Sequence, residues 1–142
     1  QQILPQPPLQ FVRRQAVARV DLGGPEKTTH IRRGEKLFHN ANITFQRQFA
    51  CATCHAEDGK RIRLQDLPNL MTVAGAQKAY TTWPAYRVSQ GELRTFQWRL
   101  NDCFRQQRFP ELIFASEAPI ALTMYLARNA NGAAFDAPAI KR

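Results

Sequence analysis

An all-α fold is what this sequence predicts, and three stretches predict it. Between Thr29 and Phe45 apolar residues recur at three- and four-residue steps, and from Leu93 to Phe104 they form one stripe. Near the end, the run IALTMYLA lies between a serine and a glycine that read as helix boundaries. No stretch alternates polar and apolar residues long enough to signal a strand that matters. At 142 residues the chain has the length of one domain and can bury a core without disulfide staples.

The elements follow in order. The opening QQILPQPPLQ is rich in Gln and Pro and reads as an extended arm. Residues 11–30 are mixed and irregular, with a short helix expected around Phe11 to Val20. The arm is assigned to residues 1–29 and the folded domain to residues 30–142. Helix one takes in Ile31, Gly34, Leu37, Phe38, Ala41 and Phe45. The stretch AEDGKRIRLQDLPNLMTVAGAQKAYTTWPAYRV is expected to be loop-rich, because Gly59, Pro68, Gly75 and Pro84 interrupt any long element. Ser89-Gln-Gly-Glu92 fits a capping box, from which Leu93, Phe96, Leu100 and Phe104 run as an apolar face. That helix carries Cys103 near its end. The last helix is bounded by Ser116 as N-cap, Pro119 in the first turn and Gly132 as terminator.

Twenty Lys+Arg against eleven Asp+Glu leave a formal charge of +9, with arginine far outnumbering lysine. Such a field draws nucleic acid, acidic proteins or small oxyanions. Nucleic acid is set aside, since no basic stripe with interleaved aromatics and no zinc-finger spacing accompanies the charge. No apolar run approaches the roughly 20 residues of a bilayer span, so no membrane segment is expected. With neither an initiator methionine nor a basic-then-apolar leader, the sequence reads as a mature, periplasmic form whose signal peptide has been removed.

Cys51-Ala-Thr-Cys54-His55 is the attachment signature of haem c. Two thiols at this spacing add to the two vinyl groups on one side of a porphyrin, while the adjacent imidazole turns onto the iron. A redox disulfide would need a βαβ context and a zinc site a second cysteine pair; neither is in the sequence. One covalently attached haem c is therefore expected. A helix before the motif and a terminal helix after it match the cytochrome c plan, with Gly34 and Phe38 of GEKLF facing Tyr125 or Leu126. In LPNL, the Pro68 carbonyl is the candidate to accept a hydrogen bond from His55 and fix its ring.

Electron-carrying cytochromes c usually place methionine on the far side of the iron. Met71 follows the proline loop too closely to reach there, and Met124 falls inside the terminal helix as packing. His30 and His39, on or beside helix one, read as surface or packing residues. Cys103 remains, either as a buried inert thiol or as a reactive one. Arg99 lies one turn earlier on the same face, where a cation lowers a thiol's pKa and a guanidinium can hold an oxyanion. Arg87 in PAYR is a candidate for a haem propionate contact or for the entrance.

From Gly34 onward the chain resembles the carboxy-terminal haem domain of the SoxA family, catalytic subunits of bacterial SoxAX thiosulfate-oxidising cytochromes. The resemblance rests on GEKLF, CATCH, WPAYRVSQGELRTFQWRLNDC, FASEAPIALTMYLA and the closing DAPAIKR, about three quarters of the chain. It implies haem ligation by His55 and Cys103, the cysteine often a persulfide, with Arg99 important for activity. It also implies oxidative coupling of thiosulfate to a cysteine of a SoxYZ-like carrier, as an L-cysteine S-thiosulfotransferase, and a SoxX-like cytochrome subunit as heterodimer partner. Two other functions remain open: a non-catalytic electron-transfer subunit of a larger periplasmic complex, and a thiosulfate dehydrogenase-like enzyme. Longer SoxA proteins carry a second cytochrome-like domain upstream, whereas about thirty residues precede the matched region here. A short natural variant, a separately encoded subunit and a fragment all agree with that difference.

Overall fold

Thr29 starts the first helix, its hydroxyl accepting from the Arg32 N–H at 3.2 Å. In this computed structural model, which describes residues 18–21, 23–56 and 67–141, helix α1 spans His30–His39. The expected arm lies mostly outside the described residues, and residues 18–20, the described end of the expected Phe11 to Val20 helix, carry no helix. Asn40 then caps a short 3-10 turn, Ala41–Ile43, by accepting from the Asn42 N–H at 2.9 Å. Phe45, expected to continue helix one, lies beyond it and is 72% exposed.

α1 crosses the terminal helix α5, Glu117–Asn129. The crossing depends on Gly34, where an added Cβ would run into the Ala121 carbonyl oxygen and lie 2.7 Å from the Tyr125 Cβ. Phe38 packs on Tyr125 with ring centroids 5.5 Å apart, and Arg33 pairs with Glu117 across the two helices. The expected contact of Gly34 and Phe38 with Tyr125 is observed. Ser116 is the N-cap of α5 without a side-chain bond, Pro119 is buried in the first turn, and Gly132 follows the helix at φ +86°.

CATCH forms a one-turn helix, α2, Cys51–His55. The middle expected to be loop contains α3, Val73–Tyr80, started by Thr72, whose Oγ1 accepts from the Gly75 N–H at 3.2 Å. Gly75 does not break this helix. Its missing side chain lets the helix lie against the backbone of Asn69.

A small sheet is the main departure from the expected all-α class. Strands β1, Ala85–Arg87, and β2, Glu92–Arg94, form a hairpin, and β3, Ala139–Lys141, pairs in parallel with β1. Ser89 to Gly91 belongs to the hairpin turn, with Gly91 at φ +66°, so the expected capping box is not formed. Glu92 bonds Arg94 at 2.7 Å, and the N-cap is Thr95, accepting from the Trp98 N–H at 3.2 Å. Helix α4 accordingly spans Phe96–Gln106 and still holds Cys103 near its end. The strands are three residues each and find their third partner at the far end of the chain, which a local pattern does not reveal. The molecule remains mostly helical, with Phe38, Leu70, Phe104, Leu112, Leu122, Tyr125 and Leu126 as its core.

Candidate functional site

In α2, Ala50 at the cap has no side-chain acceptor to offer; Thr53 Oγ1 instead accepts from the Ala50 N–H at 3.0 Å. The single turn sets Cys51 and His55, four residues apart, on one face, and both line a cavity of about 680 Å³. The chain returns to the motif through the Leu70 N–H, which donates to the His55 carbonyl at 3.0 Å. This brings the Pro68 carbonyl oxygen to 3.1 Å from His55 Nδ1. With Nδ1–H donating there, the Nε2 lone pair is left for a metal. Burial holds His55 below the usual imidazole value against the opposing Pro68 bond, and Arg99 adds to the lowering. A neutral imidazole is the form that ligates.

The other walls come from the rest of the chain. α4 contributes Phe96, Arg99, Leu100, Cys103 and Phe104, and the crossing helices contribute Phe38, Leu122 and Leu126. Lys78, Trp83, Arg87 and Lys141 complete the lining together with Leu67, Asn69, Ala79 and neighbours. The volume lies within the range of cofactor sites. Met71 and Met124 are 49% and 40% exposed, and neither they nor the exposed His30 and His39 line this cavity.

Cys103 is half-buried on the α4 wall. Arg99 pulls the Cys103 pKa down, as expected, but a net preference for the thiolate does not follow: burial raises the pKa, Asp102 and Cys54 push the same way, and Arg99 and Arg87 oppose without prevailing. Burial is the largest cause; in addition, Arg99 Nη1 is bonded at 2.7 Å to Asp102, the residue next to Cys103, which shares its charge. That carboxylate, 3% exposed, also accepts from Arg105 Nη2 at 2.7 Å and Gln106 Nε2 at 2.8 Å. Burial, with Cys103 nearby, pushes the Cys51 thiol up to about 12, and burial also raises Cys54.

These residues fit haem c by their donor set. The motif offers two thiols, one of them on the cavity wall; an oriented neutral imidazole and a further sulfur face a space lined largely by apolar side chains. Among the described residues no group of three or more His, Cys, Asp or Glu gathers to hold a bare metal ion. Sequence reasoning did not single out Asp102, Trp83, Lys78 or Lys141. Asp102 was legible from its three-residue spacing to Arg99 and Arg105. Lys141 was not, because β1–β3 pairing brings it in from the far end of the sequence.

Comparison with known proteins agrees with this geometry. A family described as SoxA/TsdA, cytochrome c domain, matches residues 33–135. The L-cysteine S-thiosulfotransferase subunit SoxA of Hydrogenophilus thermoluteolus is 49% identical over 123 residues, covering 87% of this chain and 44% of that protein. A subunit of the same name from Hydrogenobacter thermophilus is 33% identical over 121 residues, covering 82% and 45%. The chain thus spans less than half the length of these relatives. The crystal structure of SoxXA from P. pantotrophus superposes with a TM-score of 0.64 at 23% identity, covering 80% of this chain and 39% of that one.

Proposed function

The chain belongs to the SoxA/TsdA cytochrome c domain family, and from that premise we propose that it is the haem domain of a SoxA-type L-cysteine S-thiosulfotransferase. The cytochrome c domain is assigned to residues 30–142. One haem c would be attached through Cys51 and Cys54, with His55 and Cys103 as the residues that would hold its iron. A SoxX-like cytochrome is the partner subunit, a SoxYZ-like protein carries the acceptor cysteine, and the reaction takes place in the periplasm. Among the described residues, no helix is long and apolar enough to cross a membrane.

One observation carries this function: Cys103 shares a single cavity with His55 and Cys51, with Arg99 beside it, while neither methionine reaches that cavity. Bound there, haem c supplies an iron that takes up and passes on electrons one at a time. The chain's own residues do the rest. The Pro68 carbonyl holds the His55 ring through Nδ1–H and keeps its other nitrogen directed to ligation. Phe38, Leu122 and Leu126 give the cavity an apolar wall, and charge interactions beside apolar surface are stronger than in water. Arg99, tethered by Asp102, presents a fixed cation to an incoming dianion. In the overall reaction the carrier thiol loses a proton and a new S–S bond forms to the outer sulfur of thiosulfate. The product is the S-thiosulfonate, and two electrons leave.

Peptide mass spectrometry of the holoprotein tests this function. An added sulfur on Cys103, with thiosulfate-dependent modification of a carrier cysteine, is expected. Cys103→Met should retain covalent haem, raise its potential and abolish transfer. An unmodified Cys103 with no turnover would mark the domain as an electron carrier, and tetrathionate as product would mark a thiosulfate dehydrogenase.

A further inference from the structure

Four cations reach the cavity from four separate elements: Lys78 on α3, Arg87 on β1, Arg99 on α4 and Lys141 on β3. The sheet sets two of them side by side, for Arg87 and Lys141 are register partners in the parallel β1–β3 pair. Partners on neighbouring strands, about 4.8 Å apart, project from the same face of a sheet. The strand is held in place beyond that pair, since the Val88 N–H donates to the Lys141 carbonyl at 3.0 Å. Lys141 Nζ lies 5.8 Å from the centroid of the Trp83 ring, itself part of the cavity wall.

Like charges directly opposite on a sheet oppose pairing. Burial, followed by Arg99, Arg87 and Lys78, holds Lys141 below the usual lysine value. The acid beside them on α4, Asp102, is already bonded to Arg99, Arg105 and Gln106. Cations gathered against their mutual repulsion at the wall of one cavity are an arrangement that an anion stabilises.

We propose that the C-terminal strand is part of the site: β3 sets Lys141 beside Arg87, Arg99 and Lys78 to hold a doubly charged oxyanion at the cavity rim. Two sources share that chemistry, the paired carboxylates of a bound porphyrin and a free sulfur oxyanion such as thiosulfate. The second rests on the proposed transferase function, whereas the first needs only a bound haem.

Holoprotein carrying Lys141→Gln, Lys141→Arg, or Lys36→Gln on the exposed side of α1 provides the test. Thiosulfate is the probe in calorimetric titration, and the haem midpoint potential is measured on the same samples. If the anion is free thiosulfate, Lys141→Gln weakens its binding about tenfold, as loss of a charge-assisted hydrogen bond does. Lys141→Arg then restores binding, and Lys36→Gln stays within about twofold through screening. If the anion is the porphyrin's own carboxylates, Lys141→Gln leaves thiosulfate affinity alone and lowers the potential, since loss of a nearby cation favours the oxidised haem. Unchanged affinity together with an unchanged potential would overturn the assignment. A protein that binds thiosulfate through Lys141 yet transfers no sulfur would sink the transferase reading and leave the Lys141 site standing.

Discussion

Asp102 gathers two guanidiniums and an amide on one carboxylate that is 3% exposed. Arg105 is 74% exposed at its side chain and its pair counts for little by itself. Arg99, only 32% exposed, and the buried acceptor make the network matter. Asp102→Ala leaves Arg99 and Gln106 without this acceptor, and thermal melting of the holoprotein should show a loss of about 1–3 kcal/mol. An unchanged melting temperature would show that water replaces the carboxylate at no cost. Cys103 and Arg99 were legible in the sequence as neighbours on one face, but the balance between them was not. Their spacing reveals a cation near a sulfur, whereas the net effect depends on how deeply the sulfur is buried and on which acid the cation has already bonded.

Among the elements, the crossing of α1 and α5 sets the frame on which the cavity is built. Gly34 has no room for a methyl group, since the Ala121 carbonyl and Tyr125 Cβ occupy its place. Gly34→Ala must therefore push the helices apart, and a stability loss of about 3 kcal/mol is expected in denaturant titration. Gly34→Ala stability equal to wild type would mean that the helices slide without consequence. GEKLF and the Tyr125 face announced this contact because helical spacing is a local property. The hairpin was hidden for the opposite reason. Ser89 and Glu92 satisfy the spacing of a cap, yet Glu92 to Arg94 pair with β1, and the other edge of β1 is taken by β3, whose residues lie far along the chain. α3 was masked by Gly75, a residue that ordinarily weakens a helix and here permits its approach to Asn69.

For the whole molecule, the site is assembled from nearly every described segment. α2 and the proline loop supply His55 and its support, α4 supplies Cys103, the two crossing helices supply apolar wall, and the last strand supplies a cation. The motif, the proline carbonyl and the odd cysteine could be read in advance because each carries its chemistry in its own residues. Their convergence on one cavity is a property of the fold. Iron K-edge absorption spectroscopy on the purified holoprotein and on Cys103→Ala tests the central assignment most directly. If Cys103 holds the iron, one sulfur is expected in the iron's coordination sphere of the wild type, lost in Cys103→Ala while the haem stays covalently attached. A coordination sphere without sulfur in the wild type, or one left unchanged by the substitution, would contradict it.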